Sequence, residues 1–236
     1  MSMKPAHLLI LAGGYGKRLA PVVNDVPKPL APVGDHPFLY LLLKNWKEQG
    51  ISRFTLLLCH KAMMIEDYLR SAEITTLLTN CQVSTLTEDQ PLGTGGAIGN
   101  AVQQLQLEGN FLVSNADTWL GTGIQQICTT GASSIAVVRT KNASRYGSVE
   151  IDNGYVTAFK EKTDKNLPGW INAGLYNLNA SLFHEILISS FSLEFDLFPK
   201  LARERLLRAT PLDAEIIDIG TPDSYALFLN SSSDQI

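Results

Sequence analysis

The run His7 to Ala12 breaks directly into Gly13-Gly14-Tyr15-Gly16-Lys17-Arg18-Leu19. A short, continuous apolar run is the pattern of a strand buried on both faces. A glycine-rich turn at the end of such a strand places backbone N–H groups at the carboxyl edge of a sheet, where open α/β sheets bind ligands. Glycine lets the chain turn tightly and approach phosphate oxygens. Two known phosphate-binding patterns fail here. The dinucleotide fingerprint needs a third glycine where Leu19 stands, and the P-loop needs a glycine at Leu11 and Ser or Thr at Arg18.

The rest of the chain repeats the strand-then-helix alternation. Strands are expected at Phe54 to Cys59, Gln82 to Glu88, Asn110 to Ser114 and Ser134 to Thr140. Helices are expected from Pro37 to Gln49, Ala62 to Ser71, Gly95 to Leu107 and Gly123 to Thr129. This order predicts an α/β fold of Rossmann-like type, with a mixed, mostly parallel sheet and helices on both faces. Beyond residue 140 the pattern changes. Ser148 to Ile151 and Tyr155 to Lys160 flank Asp152-Asn153-Gly154, a strong hairpin signal. Strands are expected at Trp170 to Leu178 and Ile216 to Ile219, and helices at Ala180 to Ser189, Asp196 to Leu207 and Thr221 to Asn230. The expectation is one domain over 1–236, with a nucleotide-binding part to 140, a sugar-binding part over 141–230 and a polar tail over 231–236.

Composition excludes several classes. Of 236 residues 45% are hydrophobic and 18% charged, with a net charge of −4. That is too apolar for a disordered chain and too acidic for a dedicated duplex binder, so no nucleic-acid partner is expected. No run approaches the ~18 apolar residues of a membrane span, and no export signal is read at the N-terminus, which predicts a cytoplasmic protein. Three cysteines without a C-x-x-C pattern argue against a disulfide framework or a cysteine zinc site.

The chemistry-bearing residues are bases and carboxylates. Arg18 offers a planar fork suited to phosphate oxygens. Lys28 sits between Pro27 and Pro29, and the following proline biases it toward an extended backbone. Asp117 follows the strand ending at Ser114, and Asp218 lies inside Ile216-Ile217-Asp218-Ile219. A carboxylate among isoleucines needs a partner or a metal. Two aspartates completed by phosphate and water suit Mg²⁺. A second glycine cluster, Gly93-Thr94-Gly95-Gly96, opens a helix and can bring backbone against a base or serve only as a tight turn. No nucleophile elbow or histidine metal motif is present.

Together these segments resemble the sugar-1-phosphate nucleotidyltransferases. The resemblance rests on Leu11-Ala12-Gly13-Gly14-x-Gly16-x-Arg18-Leu19, Pro27-Lys28-Pro29-Leu30, Leu92-Gly93-Thr94-Gly95-Gly96-Ala97, Asn115-x-Asp117, Arg145-Tyr146-Gly147, Glu161-Lys162, Asn172-Ala173-Gly174 and Asp218-Ile219-Gly220-Thr221-Pro222, in that order along almost the whole chain. It is strongest toward enzymes that use GTP and D-glycero-D-manno-heptose 1-phosphate. Guanylyltransferases of mannose 1-phosphate and uridylyltransferases of other sugars stand near, and a nucleotide-sugar binding protein without turnover is the alternative of a different class. The resemblance implies Arg18, Lys28 and Lys162 as phosphate-binding catalytic residues. It implies Leu11, Gly13, Gly14, Gly16, Glu88, Gly93 and Asn115 at the nucleotide, Glu161, Asn172 and Gly174 at the sugar, and Asp117 and Asp218 on Mg²⁺. The implied partners are an NTP, with GTP favoured, and a sugar 1-phosphate. A homo-oligomer is neither required nor excluded. The sequence departs from the family at Ala116, where glycine is usual, and at Thr163, where proline is common. If residue 116 needs positive φ, alanine there costs roughly 1 kcal/mol.

Overall fold

The structure is a computed structural model that describes residues 7–129, 131–143, 146–160, 167–184, 186 and 189–232. In chain order the strands are β1 (His7–Leu11), β2 (Pro32–Val33), β3 (His36–Pro37), β4 (Arg53–Leu58), β5 (Gln82–Thr87), β6 (Asn110–Asn115), β7 (Thr118–Leu120), β8 (Ser134–Thr140), β9 (Ser148–Asp152), β10 (Tyr155–Lys160), β11 (Gly169–Asn179), β12 (Arg208–Leu212) and β13 (Ile216–Asp218). The helices are α1 (Phe38–Glu48), α2 (Ala62–Leu69), α3 (Ala72–Leu77), α4 (Gly93–Gln104), α5 (Ile124–Cys128), α6 (Phe198–Arg203) and α7 (Pro222–Ser232). They group into two compact units, neither a contiguous segment. One comprises Met1–Pro91, Ser114–Gly121 and Ile216–Ile236, the other Leu92–Val113 and Thr122–Glu215.

In the first unit β1, β4 and β5 run parallel, with Leu11 opposite Leu57 and Leu58 opposite Thr87. Parallel strands aligned this way bring their carboxyl ends together. Gly13, Cys59 and Glu88 therefore leave the sheet side by side. The central positions Leu8, Leu9, Ile10, Phe54 and Leu56 are fully buried, as the unbroken apolar runs predict. Helix α1 buries Phe38, Leu39, Leu42, Leu43 and Trp46, a helical stripe of roughly 3.6-residue period. Gly50, at φ 96°, ends it as expected. A separate two-stranded ribbon pairs β13 antiparallel to β7; β7 gave no signal of its own in the sequence.

The second unit has a mixed, mainly antiparallel sheet of its own strands. β11 pairs antiparallel with β8, and β8 parallel with β12. β12 meets β10 antiparallel, β10 forms the predicted hairpin with β9, and β9 returns to β11. Asn153 and Gly154 both take positive φ in the hairpin turn, the two-residue geometry that fits strand twist.

Three expectations are corrected here. The helix expected over Ala180 to Ser189 is a 3-10 turn at Ala180–Leu182 among the described residues, capped by the Asn179 side chain. The helix expected over Asp196 to Leu207 is α6 alone, entered through a π turn at Leu193–Leu197 and ended by Arg205 at φ 54°. The strand β12 was not expected, because Pro211 lies within it. Pro211 is tolerated because β12 meets β10 only at Arg208 opposite Tyr155, leaving most of one edge unpaired in this unit.

Candidate functional site

A cavity of about 220 Å³ in the first unit is lined by Leu11, Ala12, Gly14, Gly16, Lys17, Arg18, Lys28, Pro29, Ala116, Asp117 and Gly220. Its floor follows from β1. Ala12 N donates to Leu57 O and Ala116 N to Leu11 O, so the chain segments after β1 and after β6 meet at this point. Gly16 then takes φ 63°, and its carbonyl accepts from Leu19 N and Ala20 N. The turn buries Leu19 as an anchor and leaves Arg18 exposed on the cavity wall.

Lys28 is set by a different device. Pro27 and Pro29 are both buried, and Leu30 N and Ala31 N donate to Pro27 O and Lys28 O at 2.8 and 3.0 Å. These bonds close a 3-10 turn over Lys28–Leu30. The extended backbone expected at Lys28 is thus found one residue earlier, at Pro27 with ψ 149°; the turn's hydrogen bonds and two buried rings outweigh the pre-proline bias.

The two aspartates lie 101 positions apart but are neighbours through the ribbon. Asp218 stands opposite Thr118, and Ile219 N donates to Asp117 O at 2.9 Å. Both carboxylates face Lys28, whose Nζ lies 2.6 Å from Asp117 Oδ2 and 3.5 Å from Asp218 Oδ1. Asp117 Oδ1 accepts from the Thr118 hydroxyl, and Asp218 Oδ1 from Gly220 N at 2.6 Å. Asp218 thereby has the partner that a carboxylate among isoleucines requires. Ala116 lies outside the left-handed region, so alanine is unstrained where the family has glycine.

Gly220 was passed over as a site residue in the sequence. A methyl group there would stand 2.5 Å from Asp218 Oδ1, 2.8 Å from Lys28 Nζ and 3.1 Å from Arg18 Nη2. The same numbers show how closely Arg18, Lys28 and Asp218 converge. The signal was present in Asp218-Ile219-Gly220, where glycine follows the carboxylate by two residues. Lys17, whose ammonium lies 5.5 Å from the centre of the Tyr15 ring, was also passed over.

At the carboxyl ends of β1, β4 and β5, a Cβ on Gly13 would touch Cys59 at 3.1 Å. Burial pushes the Cys59 thiol up, and the negative charge of Glu88 adds to the shift. Glu88 itself is tied to β4 by a bond from its N–H to Leu58 O.

The remaining predicted residues fall elsewhere. Gly93, Asn172 and Gly174 belong to the second unit. Asn172 Oδ1 accepts from Gly174 N, and its Nδ2 donates to the Tyr176 hydroxyl, both at 3.0 Å, where the β11–β8 register shifts. Gly95 and Gly96 N–H groups both donate to Phe191 O, and the Phe191 ring lies over Gly95. The glycines of this cluster are required there by packing. Glu161, Lys162 and Arg145 lie outside the described residues.

Two carboxylates converging on one cation suit a hard divalent ion that keeps water and phosphate as its other ligands. Among the described residues no group of three or more His, Cys, Asp or Glu could supply a fuller cage. No described helix is long and apolar enough to cross a membrane.

The profile of the nucleotidyl transferase family matches residues 7–233. The chain is 35% identical over 223 residues to the D-glycero-alpha-D-manno-heptose 1-phosphate guanylyltransferase of Aneurinibacillus thermoaerophilus, covering 92% of this chain and 94% of that one. The enzyme of the same name from Campylobacter jejuni is 32% identical over 94% of this chain and 97% of its own. The crystal structure of HddC from Yersinia pseudotuberculosis complexed with GMP-PN superimposes with a TM-score of 0.84 at 33% identity, over 96% of this chain and 99% of that one.

Proposed function

The chain belongs to the nucleotidyl transferase family, and on that footing we propose that it transfers GMP from GTP to D-glycero-α-D-manno-heptose 1-phosphate, forming GDP-heptose and pyrophosphate. The observation that carries the reading is the convergence of Asp117, Asp218, Lys28 and Gly220, with Arg18, beside the glycine-rich turn after β1. The choice of base and sugar is supported by the relatives' names and by the complex of HddC with GMP-PN.

The reaction needs no general base, because a phosphate oxygen of the sugar is already anionic. That oxygen forms the new bond to the α-phosphorus. The bond from the α-phosphorus to the bridging oxygen breaks, and its electron pair leaves with pyrophosphate. The protein's task is charge neutralisation and in-line placement. Arg18, on the turn closed by Gly16, holds oxygens of the departing pyrophosphate with its fork of donors. Lys28 turns its ammonium to the α-phosphate. Asp117 and Asp218 would hold Mg²⁺, which would supply positive charge toward the reacting phosphate. Leu11, Gly13, Gly14 and Asn115 shape the nucleotide side, and Glu88 accepts from the N1–H and N2–H₂ of guanine. Lys162 holds the sugar phosphate, and Glu161, Asn172 and Gly174 face the sugar. A cytoplasmic location is part of the same proposal.

The test is product identity. Incubation with GTP and the heptose 1-phosphate should yield GDP-heptose and pyrophosphate in equal amounts by mass spectrometry, and neither when one substrate is omitted. Nucleotide hydrolysis independent of sugar would overturn the reading.

A further inference from the structure

We propose that Lys28 is the resident cation of the Asp117–Asp218 pair, so that the nucleotide-free protein takes up no divalent metal there and metal enters only with a nucleotide whose phosphates draw Lys28 away. This rests on the reading of the two aspartates as metal ligands.

Geometry carries the argument. The Lys28 ammonium lies 2.6 Å from Asp117 Oδ2 and 3.5 Å from Asp218 Oδ1, and its side chain is only 9% exposed. A Mg²⁺ ion bound to the same oxygens would stand roughly 2.0–2.1 Å from each, in the space the ammonium fills. Two cations cannot share that space, and one positive charge repels two more across so short a distance. Thr118 Oγ1 and Gly220 N donate to Asp117 Oδ1 and Asp218 Oδ1 and favour the present orientation of both carboxylates.

The backbone of Lys28 is fixed, and only the side chain beyond Cβ can redirect the ammonium from the two carboxylates to another anion. Buried Pro27 and Pro29 and the 3-10 turn hold the backbone, and Gly16 leaves 3.3 Å between its own Cβ position and Lys28 Cβ. Beyond Cβ the side chain is flexible and ends in three donors. Triphosphate oxygens arriving in the adjoining cavity offer those donors new anionic partners, which offsets the loss of both carboxylates. The metal is then recruited by the nucleotide and by the vacated aspartates in one step.

The experiment is Mn²⁺ titration followed by electron paramagnetic resonance of the free ion, without nucleotide. Wild-type protein should show no saturable binding at Asp117 and Asp218, whereas Lys28→Gln should bind Mn²⁺ at least ~10-fold more tightly, since a unit charge beside the site is removed. Adding Asp218→Asn to Lys28→Gln should abolish the gain. Crystals of wild-type protein soaked in Mn²⁺ give a readout that does not depend on the variant folding. Anomalous signal between the aspartates should be absent with Mn²⁺ alone and present with Mn²⁺ and a non-hydrolysable GTP analogue. Signal with Mn²⁺ alone, or no gain in a folded Lys28→Gln, overturns the proposal. If Mn²⁺ binding with the analogue still depends on both aspartates, the metal reading survives that failure. If Asp117→Asn and Asp218→Asn leave binding with the analogue unchanged, the metal reading fails and the proposal with it.

Discussion

Gly220 shows what a single missing methyl group does in this protein. Its φ lies outside the left-handed region, so glycine is needed for space alone. A Cβ would push on Asp218 Oδ1, Lys28 Nζ and Arg18 Nη2 together. Gly220→Ala should lower kcat by about 10²-fold, the effect of an ångström-scale misplacement. Its melting temperature should stay near wild type, because the clash falls on side-chain ends. Pyrophosphate release and a thermal melt check both halves. Asp117→Asn and Asp218→Asn should each lower kcat by at least ~10²-fold, as loss of preorganised charge at the reacting phosphorus does. If Asp218→Asn turns over normally at limiting Mg²⁺, Asp218 only pairs Lys28. Single residues were the most legible level of the sequence. Arg18, Lys28, Asp117 and Asp218 could be singled out because a glycine-rich turn, flanking prolines, a strand end and flanking isoleucines gave each a distinctive setting, while their roles came only with the family resemblance. Gly220 stood in the same motif as Asp218, but the Lys28 and Arg18 atoms that crowd it come from distant positions and are visible only in the fold.

At the scale of elements, legibility followed hydrophobic period and turn chemistry. Strand β1, helix α1 and the β9–β10 hairpin carry strong local signals and formed where expected. Strand β12, with Pro211 inside, and the three-residue β7 carry none, since their partners rather than their own residues make them strands. The helix start at Gly93 is instructive in the same way. Its glycines read first as a base-binding turn, with a tight turn as the plainer alternative, and the fold fills the space above Gly95 with the Phe191 ring. A Cβ on Gly95 would come within 2.1 Å of the Phe191 ring. Gly95→Ala should therefore destabilise the protein by about 1–3 kcal/mol, as overpacking does. In a Phe191→Ala background much of that loss should disappear, a coupling that urea denaturation of the double-mutant cycle measures. Equal losses in both backgrounds would mean that the ring is not the obstacle.

Across the whole molecule, stability should fall in mild acid through His7 on β1. Its Nε2 meets Thr55 Oγ1 at 2.8 Å, and that hydroxyl meets Ser84 Oγ at 2.7 Å. Burial first, and the charge of Arg53 second, lower the His7 pKa from 6.5 to about 4. Between those values the unfolded chain takes up a proton that the folded chain refuses. The contribution is full above pH 6.5 and is lost as pH falls toward 4. Urea midpoints should drop between pH 7 and pH 5 in wild type and drop less in His7→Gln. The function of the whole molecule was legible only through the order of its motifs, since base and sugar are chosen by hydrogen-bond edges that no spacing records. The most direct measurement is therefore kcat/KM for four NTPs with D-glycero-α-D-manno-heptose 1-phosphate and with mannose and glucose 1-phosphates, followed by pyrophosphate release. The account predicts GTP with the heptose as the best pair, with discrimination against UTP reaching toward the ~10⁴-fold that a hydrogen-bonding site achieves. Equal or better turnover with UTP, or with glucose 1-phosphate, would contradict it.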